Sequence, residues 1–191
     1  MSQNHDVARV NHAGPWVIDV RELGHQPGAS RAYARSPLAP GGFGLDMIRV
    51  PEGEPIQLDL LAESVVEGVL VSGTASANLT GECVRCLEPL SDEVEVAVRE
   101  LFAFPDSATD TSTDEDEVSR VVDDAVDLET TVRDALLLEL PSAPLCTEDC
   151  PGLCAGCGAR WAELDADHTH ETMDPRWAAL RQWFGGTEEE S

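Results

Sequence analysis

Residues 69–98 read VLVSGTASANLTGECVRCLEPLSDEVEVAV. Val69, Val71, Ala75, Ala77 and Leu79 share one parity, and Ser72, Thr74, Ser76, Asn78 and Thr80 share the other. A period of two is that of a β-strand, whose successive side chains point to opposite faces. One apolar and one polar face means that one side packs on a core and the other meets water. Val94, Val96 and Val98 repeat the alternation against Glu95 and Arg99. The two runs flank residues 81–91, so they predict a long antiparallel hairpin with the sequence CVRC, residues 83–86, at its tip.

Outward from the hairpin, further elements follow. Trp16, Ile18 and Val20 alternate with Val17, Asp19 and Arg21 and predict a strand over 16–23, while 24–44 is rich in Gly, Pro and Ala and reads mostly as loop. Ile56, Leu58 and Leu60 alternate with Gln57 and Asp59, which predicts another strand. Leu128, Val132, Ala135 and Leu136 sit at helical spacings, with Asp127 as N-cap and Pro141 as the stop, so 127–140 reads as a helix. In the acidic stretch DSATDTSTDEDE, 106–117, Ala108 is the only apolar residue, too little to repay ordering entropy. Near the end, DPRWAALRQWFGG places Pro175 in a first helical turn and Gly185 at a helix end, with Trp177, Leu180 and Phe184 as the apolar stripe.

Together these signals predict an α+β fold: an antiparallel sheet of about four to six strands, a helix packed on it, and a cysteine-rich zinc-binding C-terminal segment. The expected organisation is a flexible arm over 1–15, a body over 16–145 containing a disordered acidic loop at 106–117, a cysteine-rich segment with the last helix over 146–186, and an acidic tail over 187–191. Residues 1–15 lack a charged stretch followed by an apolar one, so no signal peptide is expected, and no apolar run is long enough to span a bilayer. The expected compartment is the cytoplasm, where cysteines serve as thiols or metal ligands more often than as disulfides.

Charge narrows the partners. The net charge is -25, and all twelve basic residues are Arg. Such a surface repels nucleic-acid phosphates and attracts basic proteins. Residues 1–50 stand apart, with five Arg against Asp6, Asp19, Glu22 and Asp46. Within that segment Arg21, Arg31 and Arg35 are the candidates for contact with RNA or a partner.

The six cysteines fall in two places: Cys83 and Cys86 as C-x2-C, then Cys146, Cys150, Cys154 and Cys157 as C-x3-C-x3-C-x2-C. A C-x2-C turn sets two sulfurs on one side of the backbone, and a second pair completes a tetrahedron around zinc. The preferred ligand set is Cys83, Cys86, Cys154 and Cys157, which would pin the hairpin tip to the chain after the 127–140 helix. The local set Cys146, Cys150, Cys154 and Cys157 is the second choice, and Cys83 and Cys86 with Cys146 and Cys150 is a third combination. Zinc held by four thiolates has no open position for catalysis, so its expected role is structural. His168 and His170, in DHTHE, do not match the usual H-x3-5-H spacing and read as a polar loop. Asp123–Asp124 reads as solvated surface. No phosphate-binding glycine loop, H-E-x-x-H or G-x-S-x-G occurs, and no nucleophile–base set stands out; the chain is expected not to be an enzyme and to take no small-molecule substrate.

GECVRCLEPL, a helix ending in LELP, LCTEDCPGLCAGCG and DPRW together resemble the YceD family, the large ribosomal RNA subunit accumulation proteins, from about Trp16 to the last helix. DVRELGHQPG resembles its actinobacterial branch. The resemblance implies a non-catalytic role in ribosome biogenesis, in accumulation or processing of large-subunit ribosomal RNA. The partner it implies is a ribosomal protein or a preribosomal large subunit, with RNA contact local or indirect. Two other classes compete: a zinc-ribbon regulator that binds nucleic acid, which the net charge opposes, and a thiol redox protein using Cys83 and Cys86. A redox C-x2-C usually opens a helix, whereas CVRC follows a strand.

Overall fold

The computed structural model describes residues 14–112 and 118–170. Most of the expected N-terminal arm, the end of the expected acidic loop, the last helix with its DPRW start and the acidic tail lie outside the described residues. The described residues form two compact units: 14–84, 88–112 and 118–146 make the first, and 85–87 and 147–170 the second.

The hairpin is the spine of the first unit. Strands β5 (Gly68–Glu82) and β6 (Pro89–Ala103) pair antiparallel along their whole length, from Gly68 opposite Ala103 to Glu82 opposite Pro89. Val69, Val71, Ala75, Ala77 and Leu79 are buried, as are Val94, Val96 and Val98 opposite them, so the period of two does set the core face. The other edge of β5 is shared. Strand β4 (Gln57–Ser64) pairs with residues 69–76, and the short β3 (Ile48–Arg49) with Thr80 and Gly81. Strand β2 (Ser30–Arg35) pairs outside β4, which completes a five-stranded antiparallel sheet.

Gly73 sits on the buried parity of β5 at φ 152°. A β-carbon there would collide with the carbonyl of Asp59 and lie 2.8 Å from the Cα of Leu60, so only glycine allows β4 to approach at this point.

A second ladder joins β1 (Val17–Asp19) to β7 (Ala125–Asp127). The expected strand over 16–23 is therefore shorter and runs on into a 3-10 turn at Arg21–Leu23, although Trp16, Ile18 and Val20 are buried as their alternation requires. Asp123 and Asp124 do more than meet solvent. Both adopt left-handed φ, 53° and 57°, and the N–H and C=O of Val122 and Ala125 exchange bonds of 3.0 Å across them. That is the two-residue turn whose twist suits a hairpin.

Helix α2 (Glu129–Glu139) packs on β6. Asp127 Oδ1 accepts from the N–H of Glu129 at 3.0 Å, and the helix ends at Leu140, in extended conformation before Pro141. Leu128, Val132, Leu136 and Leu140 join Ile18, Ile56, Leu58, Val71 and Val98 in one apolar cluster.

Two segments differ from their sequence reading. Within 24–44, expected as loop, β2 forms because β4 offers an edge and Tyr33 anchors it: the phenol donates to the Asp19 carbonyl at 2.6 Å. Within 106–117, expected as disordered, Ala108–Ser112 forms a one-turn helix, α1, held by Arg120 Nε on Asp110 Oδ1 at 2.6 Å and by the Ser107 hydroxyl accepting from the N–H of Asp110 at 3.2 Å. No helix among the described residues is long and apolar enough to cross a membrane.

Candidate metal centres

The chain folds the same turn twice. In the first, Cys83 N–H donates to the Glu88 carbonyl at 2.8 Å and Leu87 adopts φ 59°. In the second, Cys154 N–H donates to the Ala159 carbonyl at 2.7 Å and Gly158 adopts φ 73°. Each turn holds two cysteines three residues apart, a left-handed residue directly after them, and closure onto the carbonyl five positions on. The left-handed position suits glycine; in the first turn a leucine occupies it, with its side chain 54% exposed. Backbone N–H groups of Cys157 and then Gly156 hold the Cys154 thiol below its ordinary range, against the opposing effect of burial. Such donors favour the thiolate, which is the form that ligates a metal.

Neighbouring hydrogen bonds position the remaining cysteines. Val84 N–H donates to the Pro144 carbonyl at 3.0 Å, tying the hairpin tip to the chain just before Cys146. Cys150 N–H closes a turn on the Thr147 carbonyl at 3.0 Å, and Arg85 Nη1 donates to the Cys150 carbonyl at 2.9 Å. Gly152, at φ 78°, lets the chain pass close to Arg85: a β-carbon there would lie 3.1 Å from the Arg85 carbonyl oxygen.

Two groups of four donors result. The sulfurs of Cys83, Cys86, Cys146 and Cys150 lie within 4.8 Å of one another, and so do the donor atoms of Cys154, Cys157, His168 and His170. None of the six cysteines forms a disulfide. With metal–ligand bonds of about 2.3 Å to sulfur and 2.0–2.1 Å to nitrogen, the sulfur–nitrogen edge of a tetrahedron is about 3.6 Å. Cys157 Sγ and His168 Nε2 are 3.6 Å apart, an edge of the right length. Either group could hold a metal ion.

The preferred sequence set Cys83, Cys86, Cys154 and Cys157 is thus divided between the two groups, and so is the local set Cys146, Cys150, Cys154 and Cys157. The third combination is the one whose sulfurs gather. The sequence reading leaves His168 and His170 out, because H-x-H falls outside the finger spacing. Ligand arithmetic would have found them: six cysteines are two donors short of two four-ligand sites, and these histidines follow the last C-x2-C turn by eleven and thirteen residues.

Among the described residues of the second unit little else lends support. None of residues 85–87 or 147–170 belongs to the apolar cluster, and its buried residues are Cys86, Cys150, Gly152 and Cys154. Described residues that bury so little apolar surface gain order most readily from cross-links, which offset the entropy of ordering them.

The arginine candidates lie elsewhere. Arg31 and Arg35 flank Tyr33 on β2, with their guanidinium carbons 5.5 and 5.9 Å from its ring centre. Burial pushes the Tyr33 phenol up, so it stays a neutral donor. Arg31 pairs with Glu22, and Arg21 lies 3.9 Å from Asp19 and 3.8 Å from Asp124. Two of the three cations are therefore already partnered by carboxylates; Arg35 makes no ion pair among the described residues.

The model of the YceD family, described as large ribosomal RNA subunit accumulation protein YceD, matches residues 71–183. The chain belongs to the YceD family. The matched span takes in the hairpin from Val71 onward, α2 and all eight donors of the two groups. An uncharacterized protein of Mycobacterium tuberculosis is 48% identical over 186 residues, which cover 97% of this chain and 89% of that one. An uncharacterized protein of Mycobacterium leprae is 44% identical over 181 residues, 94% of this chain and 83% of that one. The Bacillus subtilis protein YlbN is more distant, at 29% over 129 residues, 67% of this chain and 73% of its own. No solved structure matches the chain.

Proposed function

We propose that this YceD-family chain is a non-catalytic, cytoplasmic factor in ribosome biogenesis that supports accumulation of large-subunit ribosomal RNA by binding a ribosomal protein or a preribosomal particle, and that a zinc ion in the four-cysteine group has a structural role. Family membership over residues 71–183 carries the reading. Charge supports the kind of partner. At a net charge of -25 the chain attracts a basic protein and repels RNA phosphates, and the polar face of its sheet exposes Asp59, Glu93 and Glu95. The pairing of Arg21 and Arg31 with carboxylates weighs against direct RNA binding as the main activity.

Zinc fits the four-cysteine group by the softness of its donors and by their number. A closed four-thiolate site leaves no position for substrate, which accords with a structural role. Cys83 and Cys86 are both buried, an unfavourable setting for a thiol that must meet a redox partner.

The test is affinity purification from cells together with a depletion strain. Large-subunit proteins or precursor RNA should co-purify, and depletion should lower large-subunit ribosomal RNA. Normal ribosomal RNA and normal subunit profiles on depletion would end the proposal.

A further inference from the structure

We infer that Cys154, Cys157, His168 and His170 bind a second zinc ion, independent of the four-cysteine group, and that this centre orders residues 154–170. Neither the family description nor the ribosomal reading calls for a second metal; the placement of the side chains does.

Four nitrogen and sulfur donors converge with mutual distances inside 4.8 Å. Among the described residues nothing apolar drives them there: Cys157 and His170 are exposed and His168 half-buried, and no residue of 154–170 belongs to the apolar cluster. The His168 and His170 rings stand almost perpendicular, at 84° with centres 4.5 Å apart, and Trp161 meets the edge of His168 at 5.6 Å. A turn between the His168 N–H and the Asp165 carbonyl, 3.0 Å, brings the chain back toward the cysteines. Gly156, between the two cysteines, has no side chain where His170 lies: a β-carbon there would fall 2.6 Å from His170 Cγ. The knuckle is thus open at the point where the second imidazole enters.

The donor set fits zinc by chemistry as well as by distance. Two thiolates and two neutral imidazoles cancel the charge of a divalent zinc ion, whereas four thiolates leave a double negative charge. Borderline-soft zinc takes both ligand types in a tetrahedron. The two centres therefore differ in their number of metal–sulfur bonds and in exposure, since three of the four cysteines in the other group are buried.

The experiment is metal analysis of the full chain purified under reducing conditions, alongside cobalt substitution. The account predicts two metal ions per chain. It further predicts a cobalt titration that resolves two species, one with the stronger sulfur-to-metal charge transfer of four thiolates and one with about half of it, as bond counting requires. His168→Ala combined with His170→Ala should remove one metal and the weaker species while leaving the other species unchanged. Gly156→Ala should weaken the same site alone. If the double histidine variant does not fold, the wild-type titration decides by itself. Saturation at a single all-thiolate species, or a double histidine variant that keeps both metals, would overturn the inference. Neither result bears on the ribosomal reading.

Discussion

Gly73 and Asp110 show how single residues constrain this chain in opposite ways. At Gly73 the backbone of β4 lies where a β-carbon would stand, and both collision partners are main-chain atoms that cannot swing aside. Gly73→Ala should cost roughly 2–3 kcal/mol, by overpacking and by φ strain. Chemical denaturation checks this; a midpoint within error of wild type would show that the sheet can relax. Asp110 acts through charge. Its hydrogen bond from Arg120, and then that from the Asp106 N–H, hold its carboxyl below the ordinary 3.8. A depressed folded-state value means stability that is present above the unfolded value and is lost as pH falls through the folded one. Asp110→Asn should therefore destabilise the chain near neutrality, and the difference from wild type should shrink as pH drops below about 4. Denaturation midpoints across that range measure it; a difference independent of pH would mean that the carboxylate charge is not the cause. The histidines belong to this scale too. Counting donors points to His168 and His170, but not to where they go: what brings them to Cys154 and Cys157 is a turn at Asp165 and the bare face of Gly156, and both are three-dimensional facts.

Among elements, those with long periodic signals were legible and the short ones were not. β5 and β6 alternate over enough positions to set their own register, and Leu128, Val132 and Leu136 mark the buried stripe of α2. β2 was hidden because Tyr33 is its only large apolar side chain, between Arg31 and Arg35, with alanines on the other parity. Its pairing comes from an edge that β4 offers, a non-local cause that the local sequence does not carry. β1 and β7 have three residues each, too few for a period to show. The helix gives a direct test of burial. Leu136 is 1% exposed and Leu138 88% exposed on the same turn. Leu136→Ala should cost about 2–5 kcal/mol, and Leu138→Ala should fall within about 0.5 kcal/mol of wild type. Equal costs at the two positions would mean that α2 docks by another face.

On the scale of the molecule, the two units differ in what their described residues bury. The first has an apolar cluster fed by the sheet, by α2 and by the β1–β7 ladder. Among its described residues the second buries little besides thiols, and on the proposed reading its order comes from metal–ligand bonds, which in small zinc peptides supply roughly 10 kcal/mol or more of folding free energy. The sequence made a metal-binding segment the natural expectation, since its cysteine spacings are those of C-x2-C ligand turns, and the structure gathers donors that could hold a metal. The sequence did not settle which sulfurs meet, because Cys150 and Cys154 are separated only by Pro-Gly-Leu and the reversal at Gly152, φ 78°, directs them to different groups.

The most direct test is amide hydrogen exchange on the full chain, compared between its zinc-loaded form and the same protein after chelation under reducing conditions. Chelation should abolish protection at Cys150, Cys154, Gly158 and Trp161, whose N–H groups close the turns of the second unit, and leave the central amides of β4, β5 and β6 as slow as before. Equal protection of those four amides in the two forms would contradict the account, since their order would then not depend on a metal.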